Sequence, residues 1–206
     1  MPTPTRRPIA ARGSRWAQRT AAALARSAIT PNQISVLSVV AALGGTAALL
    51  AWPGTIGLLA CGLAIVLRLL CNLFDGMVAV EGGKGTATGA LYNELPDRVA
   101  DSLFLVALGY AAALPWLGWL AALLAALTAC VRTLGGALGQ PQDFRGPMAK
   151  PHRMWLMAAA LALAAALPAA RLAILQGAAG LIAAGAALTC VTRTRALAAR
   201  LHEGSA

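Results

Sequence analysis

Asn72, Asp75, Asn93, Asp97 and Asp101 are the side chains in this sequence whose type and spacing could do chemistry. Asn72 and Asp75 are three residues apart, so on a helix they share a face. Asn93, Asp97 and Asp101 recur every four residues and share a face of the next helix. They interrupt strongly apolar sequence, where ionisable groups are costly and by default mark function. Gly76, Ala79 and Gly89 beside them leave room for a ligand or another backbone. Oxygen donors on two helix ends suit a hard divalent cation, Mg²⁺ or Mn²⁺, and such an ion commonly accompanies phosphate groups. The bland alternative is a set of helix-end polar groups capping and snorkelling at headgroup depth, and it applies most to Asp101 paired with Arg98.

Cationic residues form a second set. Arg132 lies near the end of one apolar stretch, and Lys150 and Arg153 begin the next. Arginine meets phosphate with a fork of donors and lysine as a point charge, although topology and lipid headgroups would also account for each residue alone. His152 between them reads as a surface residue. Arg68, four residues before Asn72 and seven before Asp75, either pairs with that face or serves as a structural counter-ion.

The elements that must position these residues are membrane helices. Of 206 residues, 59% are hydrophobic and only 12% charged, against about 25% charged in ordinary soluble domains. A spanning helix needs roughly 20 mainly apolar residues. Candidate spans run over residues 33–52, 55–74 with a continuation to 80, 91–114, from the Pro115–Gly118 connection to 138, 153–167 and 172–192. Thr30 can cap the first, with Pro31 in its first turn. The reading is therefore an all-α integral membrane protein with about six transmembrane helices. The connections at 52–54, 114–117 and 167–171 carry Arg171 as their one charged residue, whereas Lys84, Arg145, Lys150, Arg153 and the arginines of both terminal segments fall on the other side. This bias predicts cytoplasmic N- and C-termini. It also explains the formal net charge of +10 by topology and anionic lipid, without nucleic acid.

Three segments follow: a basic N-terminal segment (1–29), a six-helix membrane domain (30–192) and a basic cytoplasmic tail (193–206). The first, with Arg6, Arg7, Arg12, Arg15, Arg19 and Arg26, lacks the continuous apolar core of a cleavable signal peptide. From residue 15 to 29 it reads either as an amphipathic helix on the membrane surface or as a basic tail. Cys61, Cys71, Cys130 and Cys190 all lie in apolar stretches without a C-x-x-C pair, and read as small buried residues. No fixed-period repeat suggests an inverted-repeat transporter. High Ala, Gly and Arg content points to a GC-rich bacterium, and so to its inner membrane.

The polar set resembles the CDP-alcohol phosphatidyltransferase signature, D-x-x-D-G-x-x-A-R-x8-G-x-x-x-D-x-x-x-D. The chain reads Asn72-Leu-Phe-Asp75-Gly76-Met-Val-Ala79-Val80, eight residues, then Gly89-Ala-Leu-Tyr-Asn93-Glu-Leu-Pro-Asp97. Every spacing fits, and Asp75, Gly76, Ala79, Gly89 and Asp97 keep the family residue. The Thr30-Pro31-Asn32 start of the first span is also similar to the family's. The resemblance implies transfer of a phosphatidyl group from a CDP-lipid, usually CDP-diacylglycerol, to an alcohol acceptor with release of CMP at the cytoplasmic face. It implies metal ligation by Asp75 and Asp97, with Asn72 and Asn93 at the other two ligand positions. It makes Asp97 the general base, and it places Gly76, Ala79 and Gly89 at the nucleotide. Arg132, Lys150 and Arg153 would bind an acceptor phosphate, and homodimers through the membrane helices are common in the family.

Asn72, Asn93 and Val80 depart from the pattern. Two carboxylates stand where the family has four, which weakens a two-metal site. Glu94 and Asp101 are close enough in sequence to compensate, although Glu94 points about 100° away from Asn93 on an ideal helix. Lys84 is a candidate replacement for the missing arginine. Two further readings compete with the enzyme: a non-catalytic homologue that binds a CDP-lipid or nucleotide, and a small transporter or scaffold.

Overall fold

The computed structural model describes residues 10–203, and Arg6 and Arg7 of the basic segment lie outside them. Among the described residues all regular structure is helical: α1 (Arg15–Arg26), α2 (Pro31–Ala51), α3 (Thr55–Val80), α4 (Gly89–Ala111), α5 (Pro115–Ala137), α6 (Lys150–Ala166) and α7 (Arg171–Glu203), with short 3₁₀ turns at Ala10–Gly13 and Pro168–Ala170.

Each predicted span corresponds to a helix, but among the described residues four helical stretches are long and apolar enough to cross a membrane: Pro31–Ala51, Thr55–Val80, Pro115–Ala137 and Pro168–Glu203. The expectation of six apolar spans is narrowed on two helices. The first half of α4 carries Asn93, Glu94, Asp97, Arg98 and Asp101. α6 has 17 residues and begins with Lys150 and Arg153. On the long helices Leu37, Val40, Leu63, Leu123, Leu181 and Leu188 are exposed while alanines and glycines are buried. Bulky side chains outward and small ones inward is the arrangement of helices solvated by lipid.

The chain divides into two compact units, one within Pro8–Phe104 and one within Leu105–Ala206. In the first, α2 starts as its sequence dictates. Thr30 Oγ1 accepts from the Gln33 N–H at 3.3 Å and Gln33 Oε1 from the Thr30 N–H at 2.9 Å, with Pro31 at the start of the helix. This capping box satisfies two backbone donors at the helix start. α2 lies along α3, and Gly45 permits the contact, because a Cβ there would collide with Ala64. α1 is a helix, as one of the two readings of residues 15–29 had it. It buries Ala17 and Ala21 against Leu73 and Met77 of α3, and Trp16 meets Phe74 edge-on at 5.8 Å. α3 ends before Gly83, whose φ of +65° is open to glycine at little cost. Lys84 then donates to the carbonyls of Ser27 at 2.5 Å and Ile29 at 3.2 Å. Its ammonium therefore ties the α3–α4 connection to the α1–α2 linker, and does not stand in for the arginine absent at Val80.

In the second unit α5 and α6 pack on α7. Gly109, near the end of α4, and Gly118 of α5 meet backbone to backbone: a Cβ on Gly109 would lie 2.5 Å from the Gly118 Cα. α7 continues to Glu203, well past residue 192, because the sequence beyond is Ala, Leu and Arg, all strong helix formers. Cys130 is exposed, contrary to expectation, whereas Cys61 is buried.

Candidate active site

The acidic face of the first unit is organised around Arg68. This side chain is 0% exposed, one turn before Asn72 on α3. Its Nη2 donates to Asp97 Oδ1 at 2.8 Å, approaches the Asp97 carbonyl at 3.4 Å, and lies 3.1 Å from Asp101 Oδ1. Its Nη1 donates to the amide oxygen of Asn72. The Asn72 amide nitrogen in turn donates to Asp97 Oδ1 at 2.6 Å. The orientation of this amide follows from its partners, since a flip would press its NH₂ against the guanidinium and its oxygen against the carboxylate.

Asp75 is buried and held differently. Ser35, on α2, donates to Oδ2 at 2.8 Å, and the Gly76 N–H reaches Oδ1 at 2.5 Å. Asn93 is exposed, one turn before Asp97. Pro96 sits within α4 and removes a backbone donor just before Asp97. At the start of α2, Asn32 Nδ2 lies 3.5 Å from the hydroxyls of both Thr86 and Thr88. A cleft of about 300 Å³ opens beside Asn32, Gln33, Val36 and Tyr92.

One expected pairing changes. Arg98 takes Glu94, four residues back on the same helix, and not Asp101, which turns to Arg68. Glu94 is thereby engaged with its own cation. Gly76, Ala79 and Gly89 are half-buried, and Val80 is exposed. Ser35 escaped the sequence reading; its signal was its place one turn after the Thr30-Pro31-Asn32 start. The reach of Arg68 across to α4 gave no signal, because sequence spacing reports neighbours on one helix only.

Asp75 and Asp97 offer charged oxygens and the exposed Asn93 amide a neutral one, the donor chemistry of a hard divalent cation, while Asn72 turns its oxygen to Arg68. Among the described residues no three His, Cys, Asp or Glu side chains converge as a carboxylate-rich metal cluster.

The second unit carries a cationic cluster. Arg153 is buried and donates to the Met148 carbonyl at 2.8 Å, with Thr128 Oγ1 at 3.4 Å. Arg193, also buried, donates to the carbonyls of Thr128 at 2.7 Å and Arg145 at 2.9 Å. Arg132 is half-buried, with Nη1 on Gln142 Oε1 at 2.6 Å and its guanidinium 5.5 Å from the centre of the Phe144 ring. Lys150 starts α6, half-buried, and His152 is exposed. Gly146, at φ +120°, passes so close to Thr189 that a Cβ would lie 2.5 Å from its Cγ2. Thr189 Oγ1 also accepts from the Met148 N–H at 3.0 Å. The loop before α6 is thus pinned to α7. Arg193 was read as part of a tail; a basic residue directly after an apolar run was its only signal.

No protein-family model matches the chain. The phosphatidylinositol phosphate synthase of Mycobacteroides abscessus is 34% identical over 96 residues, 47% of this chain and 42% of that protein. The match thus spans less than half the length of that relative. Among solved structures, the phosphatidylinositol phosphate synthase of Mycobacterium tuberculosis with CDP-DAG bound has a TM-score of 0.74 at 22% identity, covering 89% of this chain and 94% of that one. The same enzyme in complex with manganese and citrate has a TM-score of 0.71, covering 88% of each chain. The chain shares the fold of these structures.

Proposed function

We propose that the chain is a CDP-alcohol phosphatidyltransferase, which moves a phosphatidyl group from CDP-diacylglycerol to an alcohol acceptor. The observation that carries the reading is the fixed spacing of Asp75, Gly76, Ala79, Gly89 and Asp97 over α3 and α4, in a fold shared with a CDP-DAG-bound enzyme. The acceptor oxygen bonds to the lipid-bearing phosphorus of the donor. The bond from that phosphorus to the bridging oxygen breaks, and CMP leaves with that oxygen. The acceptor proton passes to the Asp97 carboxylate, which Arg68 and Asn72 hold in place through Oδ1. A positioned base of this kind contributes about 10²–10⁴ in rate. Asp75 and Asp97, with the Asn93 amide, would hold a divalent ion, Mg²⁺ or Mn²⁺, that neutralises charge on the diphosphate and on departing CMP. Gly76, Ala79 and Gly89 line the nucleotide.

The acceptor in this reading is itself phosphorylated, with inositol phosphate as first choice. Arg132, Lys150 and Arg153 supply cations for its phosphate, and the name of the M. abscessus relative supports the choice. The helices form a six-span membrane domain over residues 30–192, with both termini and the acidic site on the cytoplasmic side of a bacterial inner membrane and with homodimers through small-residue faces. A second reading has a specific observation behind it: Asp97 Oδ1 is already taken by Arg68 and Asn72, as in a homologue that binds a CDP-lipid without turning it over.

The test is CMP release from CDP-diacylglycerol by detergent-purified protein, with Mg²⁺ or Mn²⁺ and with inositol phosphate, glycerol 3-phosphate, inositol or serine as acceptor. Release with inositol phosphate, abolished by a chelator, is the expected result. Binding of the donor with no release from any acceptor establishes the non-catalytic reading.

A further inference from the structure

One face of α7 seats the loop that precedes α6. Gly185, Thr189 and Arg193 recur every four residues and so stack along one side of that helix. A Cβ on Gly185 would lie 2.8 Å from the Met148 Cβ, so the glycine opens a notch for that side chain. Thr189 is 0% exposed and donates to the Gly185 carbonyl at 2.7 Å, the bond a helical threonine makes one turn back. The hydroxyl hydrogen is thereby committed, and the oxygen accepts from the Met148 N–H at 3.0 Å. We propose that Thr189 is a positioning residue for anion recognition. By fixing the backbone of residues 145–148 on α7 it sets the carbonyls that orient Arg153 and Arg193, and with them the affinity for a phosphorylated acceptor.

The link from the hydroxyl to the cations is short. The Met148 carbonyl accepts from Arg153 Nη1 at 2.8 Å, and the Arg145 carbonyl from Arg193 Nε at 2.9 Å. Both carbonyls belong to the stretch that Thr189 holds, by its hydroxyl at Met148 and by its close approach to Gly146. The two buried guanidinium groups also meet at Thr128 of α5. Arg193 Nη1 donates to its carbonyl at 2.7 Å, and Arg153 Nη1 lies 3.4 Å from its hydroxyl. Two cationic heads therefore converge on one residue, and a phosphate gripped by forked contacts depends on the direction of both. Loss of the Thr189 hydroxyl releases the loop and turns both heads at once, without touching either arginine. The inference rests on the reading above only in taking this cluster as the place of the acceptor phosphate.

The experiment compares Thr189→Val, which keeps the shape and removes the hydroxyl, with Thr189→Ser, which keeps the hydroxyl. Binding of inorganic phosphate to the full-length protein in detergent is measured by isothermal titration calorimetry. KM for inositol phosphate and for CDP-diacylglycerol is measured from CMP release. Thr189→Val is expected to weaken phosphate binding and to raise KM for inositol phosphate, each about 10-fold, the order of losing well-directed charged hydrogen bonds. KM for CDP-diacylglycerol should stay unchanged, and Thr189→Ser should restore both losses. Gly146→Ala displaces the same loop from its own side and should give the same losses, which decides the matter if Thr189→Val fails to fold. Wild-type protein that binds no phosphate overturns the proposal. So do phosphate affinity unaltered in Thr189→Val, a serine variant as weak as the valine one, and equal rises in KM for both substrates. Phosphate binding that follows the hydroxyl in a protein releasing no CMP would remove the transferase reading and leave this inference standing. CMP release with the same acceptor KM in wild type and Thr189→Val would do the reverse.

Discussion

The two units hold their most deeply buried arginines in different ways. In the α2–α4 region, Arg68 is bound by side chains: Asn72 and Asp97 accept from it and Asp101 pairs with it at 3.1 Å, with a single long contact to backbone. In the α5–α7 region, Arg193 is bound by the backbone carbonyls of Thr128 and Arg145, and Arg153 by that of Met148. A guanidinium satisfied by carboxylates is a neutralised charge, and the cluster it builds is set by residue identity. A guanidinium satisfied by carbonyls keeps its net charge and makes the helix and loop backbones its scaffold. In the function proposed above, the first arrangement fixes the carboxylate that takes the acceptor proton, and the second supplies the cations for the acceptor phosphate.

The sharpest way to break this contrast is Asp97→Asn. It preserves shape and removes the charge that both Arg68 and proton transfer require. CMP release is expected to fall by about 10²–10⁴-fold, the range for loss of a positioned base, with donor binding retained. Measured turnover within tenfold of wild type would remove Asp97 from the chemistry. It would leave the first unit's network as no more than a structural tie between α3 and α4.

Arg193→Met sharpens the other side. The substitution fills similar volume but leaves the buried Thr128 carbonyl and the part-buried Arg145 carbonyl without their charged donor, at about 1.5–3 kcal/mol for the buried hydrogen bond. Thermal unfolding in detergent should shift down by several degrees, on the order of 2–4 °C per kcal/mol for a chain of this size. Arg132→Gln should behave otherwise. Arg132 is half-buried and held by Gln142 and Phe144, so its loss should leave the unfolding temperature nearly unchanged. It should raise KM for a phosphorylated acceptor by about 10-fold or more, the worth of a charge-assisted contact, and leave KM for CDP-diacylglycerol alone. Equal effects on both substrates would mean that the cluster stabilises the fold and does not select the acceptor.

What the sequence disclosed follows the range of the forces involved. The helix starts and stops, the Thr30 cap, the glycine after α3 and the pairing of Asp75 and Asp97 with their motif glycines all depend on residues a few positions apart. Spacing reports such relations directly. The partners of Arg68, Lys84 and Arg193 lie 29 to 65 residues away, and nothing in a helical period encodes which of two distant helix faces will meet. Arg98 illustrates the limit in miniature. Both Glu94 and Asp101 were within its reach by sequence, and the choice of Glu94 depended on Arg68 having claimed Asp101. Charge composition erred in a related way at the end of α7. Arg193, Arg195 and Arg200 look like a solvated tail, but Arg193 is turned inward by carbonyls that a hydropathy pattern does not register.

The smallest expected effect tests the most legible feature. Thr30→Ala removes the side-chain oxygen that accepts the Gln33 N–H, while the return bond from the Thr30 N–H to Gln33 Oε1 remains possible. Loss of a cap of this type costs about 1 kcal/mol, and Thr30→Ser should restore nearly all of it. A drop of about 2–4 °C in unfolding temperature, with CMP release unchanged, would confine the cap to local helix stability. A larger fall in release than in stability would tie it to the site through the segment that follows. Asn32 there faces Thr86 and Thr88, and Ser35 holds Asp75. A frayed first turn would then loosen the one metal-ligand candidate whose position depends on α2. The two outcomes separate by comparing Thr30→Ala with Thr30→Ser at matched fractions of folded protein.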